Sequence, residues 1–180
     1  MNNSPIGVYD SGFGGLSVWR EIHRRLPEES LLYLGDGKNC PYGGRSREEI
    51  TAFAREAVGR LIGEGVKMVV VGCNTATAAA VDALRAEWPD IPIVGLEPAV
   101  KPACLSSRTR RIAVLATAHS LQSDMFLNTA RRYAADVEVI KVEGRGFVEL
   151  VEASEEDSPK AERLVREVVE PLLDKGIDRI

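Results

Sequence analysis

The stretch Val69–Thr77, "VVVGCNTAT", decides the fold class of this 180-residue chain. Three β-branched residues bounded by glycine predict a buried, central parallel strand. Asn74 and Thr75, ahead of the helix-like run "ATAAAVDALRAEW", predict the N-cap of a helix. Cys73 is therefore expected where a strand passes into a helix, at the carboxyl edge of an open α/β sheet, where ligands bind.

Strand-like and helix-like runs alternate through the rest of the chain. "PIGVY", "SLLYLG" and "IPIVGL" have strand composition, and the runs between them have helical spacing. This alternation predicts βαβ units, hence an α/β fold with mostly parallel sheets and flanking helices. In the second helix Ser46 and Glu49 have capping-box spacing, and one face carries Ile50, Phe53, Ala54, Ala57, Val58, Leu61 and Ile62.

Two domains are expected, residues 1–97 and 98–180. The segment "EPAVKPACLSSRTR" has two prolines and no strong period, which is typical of a crossing between domains. Beyond it the alternation restarts, with "SLQSDMFLNTARRYA" as one helical segment and "KAERLVREVVEPLLDKGIDRI" as a final helix whose last turns Pro171 weakens.

Residues 61–69 and 172–180 share one frame: two aliphatics, two spacers, glycine, a β-branched aliphatic, two spacers and an aliphatic. Two explanations of this match stay open: an internal duplication of the chain, and the general similarity of helix-to-strand junctions. If the chain is duplicated, the second equivalent of Cys73 falls four residues beyond Ile180.

Composition excludes several function classes. A net charge of −4 and a pI near 5.4 argue against a nucleic-acid surface. No apolar run approaches a membrane span and the first residues lack a signal peptide, so a cytoplasmic protein is expected. The three cysteines, Cys40, Cys73 and Cys104, form no CxxC pair, so neither a disulfide framework nor a metal site is indicated.

Three predicted strand-to-helix junctions carry polar residues: "YDSGFGG", "GDGKNCPYGG" and "GCNTAT". Helix N-termini at such junctions offer free N–H groups that favour a carboxylate or a phosphate. The "GFGG" run lacks the last glycine of GxGxxG, and no GxxxxGK[ST] occurs, so neither nucleotide-binding motif is complete and a tight strand-to-helix turn explains these glycines equally well.

Two interpretations of Cys73 follow from the residues alone. Free cysteine is often a buried structural residue, whereas a helix N-terminus lowers a thiol pKa and favours the thiolate. Asp10 is placed to orient the thiol, although a nearby carboxylate raises a thiol pKa. No GxSxG elbow is present and no histidine partner of Cys73 is evident, so proton abstraction beside a carboxylate is favoured over nucleophilic catalysis. Duplication would supply a second thiol opposite the first, and two opposed thiols can invert the configuration at a carbon atom.

Five motifs in order resemble those of glutamate racemase, in the family shared with aspartate racemases: "GVYDSGFGGLSV", "YLGDGKNCPYGGRS", "VVVGCNTATA", "IPIVGLEPA" and "IAVLAT". The resemblance implies two pseudo-symmetric α/β domains with the active site in the interdomain cleft. It implies racemisation of L-glutamate to D-glutamate for peptidoglycan synthesis by two thiols, without cofactor or metal. The implied partner is the small-molecule substrate, not a membrane or a nucleic acid, and a homodimer is compatible with the family.

The motifs assign site residues by position. The resemblance makes Cys73 the first catalytic thiol and Asp10 a catalytic residue beside it, with Asp36 and Glu152 as auxiliary carboxylates. The substrate-binding positions it implies are Asp10, Ser11, Tyr42, Gly43, Asn74, Thr75 and, from the second domain, Thr117.

The sequence departs from the family pattern in two places. The "GCTH" motif that carries the family's second thiol, on the strand that "GIDRI" begins, does not occur in these 180 residues, so a truncated chain with little or no racemisation is expected. Gly144-Arg145 replaces a cysteine-proline turn of many members. Two alternatives stay open: racemisation of aspartate or another acidic amino acid, and a non-catalytic binding or regulatory module on this scaffold.

Overall fold

The computed structural model describes residues 3–180 and shows two compact units. The first ends at Leu96 and the second comprises Glu97–Ile180. The boundary predicted from the sequence lies one residue further along the chain. Both units contain parallel strands with flanking helices, and the predicted α/β class is confirmed.

The first unit is a four-stranded parallel sheet in the order β2-β1-β3-β4. Its elements are β1 (Ile6–Asp10), α1 (Leu16–Arg25), β2 (Leu31–Gly35), α2 (Arg47–Gly63), β3 (Met68–Val71), α3 (Asn74–Glu87) and β4 (Ile93–Gly95). The register pairs Asp10 with Gly35 and Tyr9 with Val71, so the carboxyl ends of the first three strands emerge side by side. The loops that follow these strands carry the polar residues named above.

Local sequence accounts for these elements. Every residue of β1 is buried, as a central strand requires. The predicted capping box of α2 forms, with the Glu49 N–H donating to Ser46 Oγ and the Ser46 N–H donating to the Glu49 carboxylate. On the predicted apolar face Phe53 and Ile62 are half-buried, and the buried residues are Ile50, Ala54, Ala57, Val58 and Leu61.

The second unit pairs its first two strands in parallel. Its elements are α4 (Val100–Ser106), β5 (Arg111–Ala116), α5 (Ala118–Gln122), α6 (Asp124–Tyr133), β6 (Glu138–Glu143), α7 (Phe147–Glu152) and α8 (Pro159–Leu173). The strand β5 lies beside β6 and also forms a parallel bridge from Ile112 to Arg179.

The second unit has three features that the sequence patterns did not predict. The segment interpreted as a crossing contains the helix α4, because Pro102 lies in the first turn, where no intrahelical N–H donor is needed, and Val100 and Cys104 are buried one turn apart. The single expected helix is divided at Ser123, whose extended backbone ends α5 and whose hydroxyl accepts from the Phe126 N–H at the start of α6. The short helix α7 was not anticipated.

The final helix only partly follows its predicted apolar face. Leu172 is buried, Leu164, Val168 and Val169 are half-buried, and Val165 and Leu173 are 45% and 58% exposed. Pro171 lies inside α8, which nevertheless continues to Leu173.

The two stretches that share a sequence frame also share a backbone structure. Gly65 and Gly176 have φ of 77° and 71°, and their N–H groups donate to Ile62 O and Leu173 O, each at 2.9 Å. Three residues after each glycine the chain pairs in parallel with the first strand of its own unit, at Ile6 and at Ile112. The order β2-β1-β3 is thus matched by β6, β5 and the segment at Arg179, as internal duplication requires.

Within residues 3–180, none of the helices has both the length and the apolar composition that crossing a membrane would require.

Candidate functional site

The thiol of Cys73 caps helix α3. Its Sγ accepts from the Ala76 N–H at 3.3 Å, so the N-cap is Cys73 and not Asn74, as the sequence had suggested. The Ser11 hydroxyl lies 3.4 Å from the same sulfur, and the Ser11 backbone N–H also interacts with it. Because β1 and β3 are neighbours, their carboxyl ends bring Ser11 and Cys73 together from distant parts of the sequence.

The net effect of this environment is to raise the pKa of the Cys73 thiol. Burial is the largest cause, and the negative charge of Asp10 is the second. Hydrogen bonds from Ser11 and Ala76 act in the opposite direction because they stabilise the thiolate. Of the two opposing influences expected from the sequence, burial together with the Asp10 charge outweighs the hydrogen bonds at the helix N-terminus.

Asp10 is held rigidly at the end of β1. It is 6% exposed, and its carboxylate accepts from the Gly12 N–H at 2.7 Å. A Cβ atom on Gly15 would lie 2.6 Å from the Asp10 Cβ, so only glycine allows this close packing. A carboxylate fixed near a thiol raises the free energy of the thiolate before substrate arrives, and a positively charged amino group would offset that cost.

A second group of site residues forms a hydrogen-bonded chain. The Tyr42 hydroxyl donates to Asp36 Oδ2 at 2.7 Å, and the Tyr9 hydroxyl lies 2.7 Å from the Tyr42 hydroxyl. The Asn39 side-chain amide donates to both Asp36 oxygens, at 3.0 Å and 2.9 Å. The Asp36 N–H donates to the Asp10 carbonyl, which joins this group to the end of β1.

The remaining predicted positions of the first unit differ in exposure. Thr75 is buried in the first turn of α3, Asn74 next to it is exposed, and Gly43 is half-buried beside Tyr42. An exposed amide next to a buried thiol is suited to contact a ligand without being part of the core.

Thr117 and Glu152 belong to the second unit. The Thr117 hydroxyl caps α5 by accepting from the Ser120 N–H, which places it directly after β5. Glu152 is the last residue of α7 and is half-buried. Thr117 therefore follows the first strand of its unit as Ser11 follows β1.

The other two cysteines have different surroundings. Cys104 is 1% exposed and packs in a cluster with Val100, Ile112 and Phe126. Cys40 is half-buried before Pro41. Among residues 3–180, no three His, Cys, Asp or Glu side chains are grouped to hold a metal ion.

Sequence reasoning missed two tyrosines that hold these loops. Tyr9 is fully buried and reaches Tyr42, and the Tyr33 hydroxyl donates to the Gly12 carbonyl at 2.6 Å. A polar hydroxyl in a strand that is otherwise apolar was the available signal for both, because a buried hydroxyl requires a partner.

Comparisons with known proteins agree with the motif-based resemblance. The family model for Asp/Glu/Hydantoin racemase matches residues 6–180. A glutamate racemase of Roseiflexus sp. (strain RS-1) is 48% identical over 176 residues, which are 98% of this chain and 65% of the relative. The chain spans about two thirds of the length of the curated relatives it matches.

The fold of this chain also matches solved structures. A glutamate racemase isoform from Bacillus anthracis has a TM-score of 0.83 and 36% identity, over 99% of this chain and 67% of that one. The glutamate racemase from Francisella tularensis subsp. tularensis SCHU S4, solved in complex with D-glutamate, also has a TM-score of 0.83, at 29% identity over 98% of this chain and 66% of that one. The chain therefore belongs to the Asp/Glu/hydantoin racemase family, and the solved structures it resembles are glutamate racemases.

Proposed function

We propose that this chain carries one of the two proton-transfer sites of a cofactor-independent glutamate racemase, with Cys73 as the base. The observation that carries the proposal is the Cys73 thiol itself. It lies at the carboxyl edge of a parallel sheet, receives hydrogen bonds from Ser11 and Ala76, and has the Asp10 carboxylate near it. The relatives named glutamate racemase support the substrate.

The proposed reaction is a proton transfer at the α-carbon of glutamate. The Cys73 thiolate takes the α-proton, so that the Cα–H bond breaks and an S–H bond forms, and the electron pair enters the α-carboxyl group. Free N–H groups at the helix N-terminus favour the negative charge that develops there. Return of a proton to the opposite face gives the other enantiomer.

The ammonium group of the substrate has a natural partner in Asp10. A cation bound there neutralises the carboxylate charge that raises the thiol pKa. The free enzyme would thus keep the thiol protonated, and substrate binding would favour loss of the S–H proton to solvent, which leaves the thiolate.

Inversion requires a second acid on the opposite face of the α-carbon. Cys104 is enclosed in a core cluster, and Cys40 lies on the Tyr42 loop of the same unit as Cys73. We therefore expect the 180-residue chain to exchange the α-proton of one enantiomer while retaining its configuration.

The test is deuterium incorporation at the α-carbon of L- and D-glutamate in heavy water, followed by proton NMR. We expect exchange from one enantiomer, its loss in Cys73→Ser, and its retention in Cys40→Ser, the matched cysteine control. Exchange that survives Cys73→Ser, or no exchange from either enantiomer, would contradict the proposal. Faster exchange from aspartate than from glutamate would reassign the substrate.

The proposed biological role follows from the product. D-Glutamate is the product that peptidoglycan synthesis would consume, and we propose a cytoplasmic enzyme that supplies it. The supporting observation is the family membership of residues 6–180.

A further inference from the structure

We propose that Tyr9 is a positioning residue whose buried hydroxyl holds the Tyr42–Gly43 loop in register with Cys73 and so sets the affinity for substrate. The inference rests on the proposed function, since it assumes that this loop and Cys73 serve one ligand. Tyr9 itself is fully buried and does not touch that ligand in our proposal.

The hydroxyl chain has only one consistent direction. Each tyrosine hydroxyl has a single hydrogen to donate. The Tyr42 hydrogen is committed to Asp36 Oδ2 at 2.7 Å, so the 2.7 Å contact between the two hydroxyls requires Tyr9 to donate and Tyr42 to accept. The order is therefore Tyr9 to Tyr42 to Asp36.

Asp36 is the terminal acceptor of this series of hydrogen bonds. Its two oxygens are occupied by Tyr42 and by the Asn39 side-chain amide, and its backbone N–H donates to the Asp10 carbonyl at 2.9 Å. A carboxylate occupied in this way anchors the loop, and hydrogen bonds to a charged acceptor are among the stronger ones. We assign Asp36 an anchoring role in place of acid–base chemistry.

Tyr9 also touches the Cys73 junction through its backbone. Its carbonyl accepts from the Gly72 N–H at 2.7 Å, one residue before the thiol. One residue thus holds the thiol junction by its main chain and the Tyr42 loop by its side chain. In a site that needs sub-ångström placement, such a double attachment keeps the two loops at a constant separation.

Burial makes this attachment hard to replace. Tyr9 is 0% and Tyr42 2% exposed, so water cannot readily substitute for a missing hydroxyl. Burial also raises the pKa of both phenols well above the ordinary value, with smaller contributions from Asp36. Both hydroxyls therefore keep their protons at neutral pH and remain able to donate.

The experiment compares Tyr9→Phe with Tyr133→Phe in the deuterium-exchange assay. Phenylalanine keeps the ring that fills the core and removes only the donor. We expect the apparent KM for glutamate to rise about fivefold in Tyr9→Phe, as for loss of one hydrogen bond, with kcat within about twofold and an unchanged pH profile. Tyr133 is half-buried in the second unit and stacks under Lys101, so its variant should match the parent.

A second readout does not depend on activity. The Arg45 N–H donates to the Tyr42 carbonyl at 3.0 Å within the loop, and the Val69 N–H donates to the Pro92 carbonyl at 2.9 Å in the sheet. We expect amide hydrogen exchange in Tyr9→Phe to accelerate at Arg45 and to stay constant at Val69.

Two results would overturn the inference. The first is that Tyr9→Phe has the same KM for glutamate as the parent and the same rate of amide hydrogen exchange at Arg45. The second is equal acceleration at Arg45 and Val69, which would mean general loosening of the unit. If the parent shows no Cys73-dependent exchange of glutamate, the proposed function fails, and the Arg45 amide alone then decides whether Tyr9 holds the loop.

Discussion

At the residue scale, the ionisation of Cys73 is set by opposing neighbours. Burial and the Asp10 charge raise its pKa, while Ser11 and Ala76 lower it by donating hydrogen bonds. In the proposed function, Cys73 ionises only when the substrate ammonium reaches Asp10, and the thiol would then be protected from adventitious oxidation in the free enzyme, because the thiolate is the reactive form.

Variants of Asp10 and Ser11 should shift the thiol pKa in opposite directions. Asp10→Asn keeps an acceptor for the Gly12 N–H and removes the charge, so the pKa falls, and alkylation of Cys73 below its midpoint pH should be about tenfold faster. Ser11→Ala removes a donor to the thiolate, so the pKa rises and alkylation slows.

The measurement is the pH dependence of haloacetamide labelling at Cys73, read by peptide mass spectrometry. Labelling at Cys40 in the same samples is the internal reference for the reagent, since Cys40 is a second free and only half-buried thiol. A shift of both variants in the same direction would show that access to the sulfur, and not charge, controls its reactivity.

At the scale of elements, Thr77 connects helix α3 to the carboxyl ends of β3 and β4. It is 1% exposed in α3, its hydroxyl donates to the Val71 carbonyl at the end of β3, and it accepts from the Leu96 N–H just beyond β4, each at 3.3 Å. Gly95 packs directly on it, because a Cβ atom there would lie 2.5 Å from Thr77 Cγ2. This contact positions α3, the helix that Cys73 caps, against β4.

Gly95→Ala should destabilise the protein through that contact. We expect a loss of about 1–3 kcal/mol in the free energy of unfolding, as for overpacking of a core. In a Thr77→Ser background the clashing methyl is absent, so the same substitution should cost less than half as much.

Urea denaturation of the four proteins of this double-mutant cycle measures the coupling. Gly63→Ala is the matched control, because nothing lies within 4 Å of a Cβ atom there and alanine favours the helix. Equal costs of Gly95→Ala in the two backgrounds would mean that the contact with Thr77 does not limit packing.

At the scale of the whole molecule, two units repeat one arrangement of strands. In each, the first strand lies between the second strand and a segment that follows a long helix and a glycine of positive φ. The repeat shows that the similar frames at residues 61–69 and 172–180 are more than a chance resemblance of turns.

Substitution of either glycine of this repeat by alanine should lower the free energy of unfolding by the same amount. Alanine at a left-handed backbone position costs about 1–2 kcal/mol, so we expect this loss from Gly65→Ala and from Gly176→Ala. Because the positions lie in different units, the costs should add in the double variant.

Chemical denaturation provides the measurement, with Gly44→Ala as the control, since its Cβ atom would meet nothing within 4 Å. A neutral result at either repeat glycine would mean that its turn relaxes to another conformation, and the two turns would then not be equivalent.

The sequence by itself determined the α/β class, the capping box of α2, the placement of Cys73 at a strand-to-helix junction and the family. These depend on periodicity, on caps and on short motifs, all of which are local properties. The sequence did not predict α4, the break at Ser123 or α7, because short helices have weak local signals.

Only the tertiary structure decided how the site residues act on one another. The raised pKa of Cys73, the direction of the hydroxyl chain from Tyr9 to Asp36, and the burial of Cys104 all depend on residues far apart in the sequence. Desolvation and hydrogen bonding between distant segments arise from packing, which no local pattern encodes.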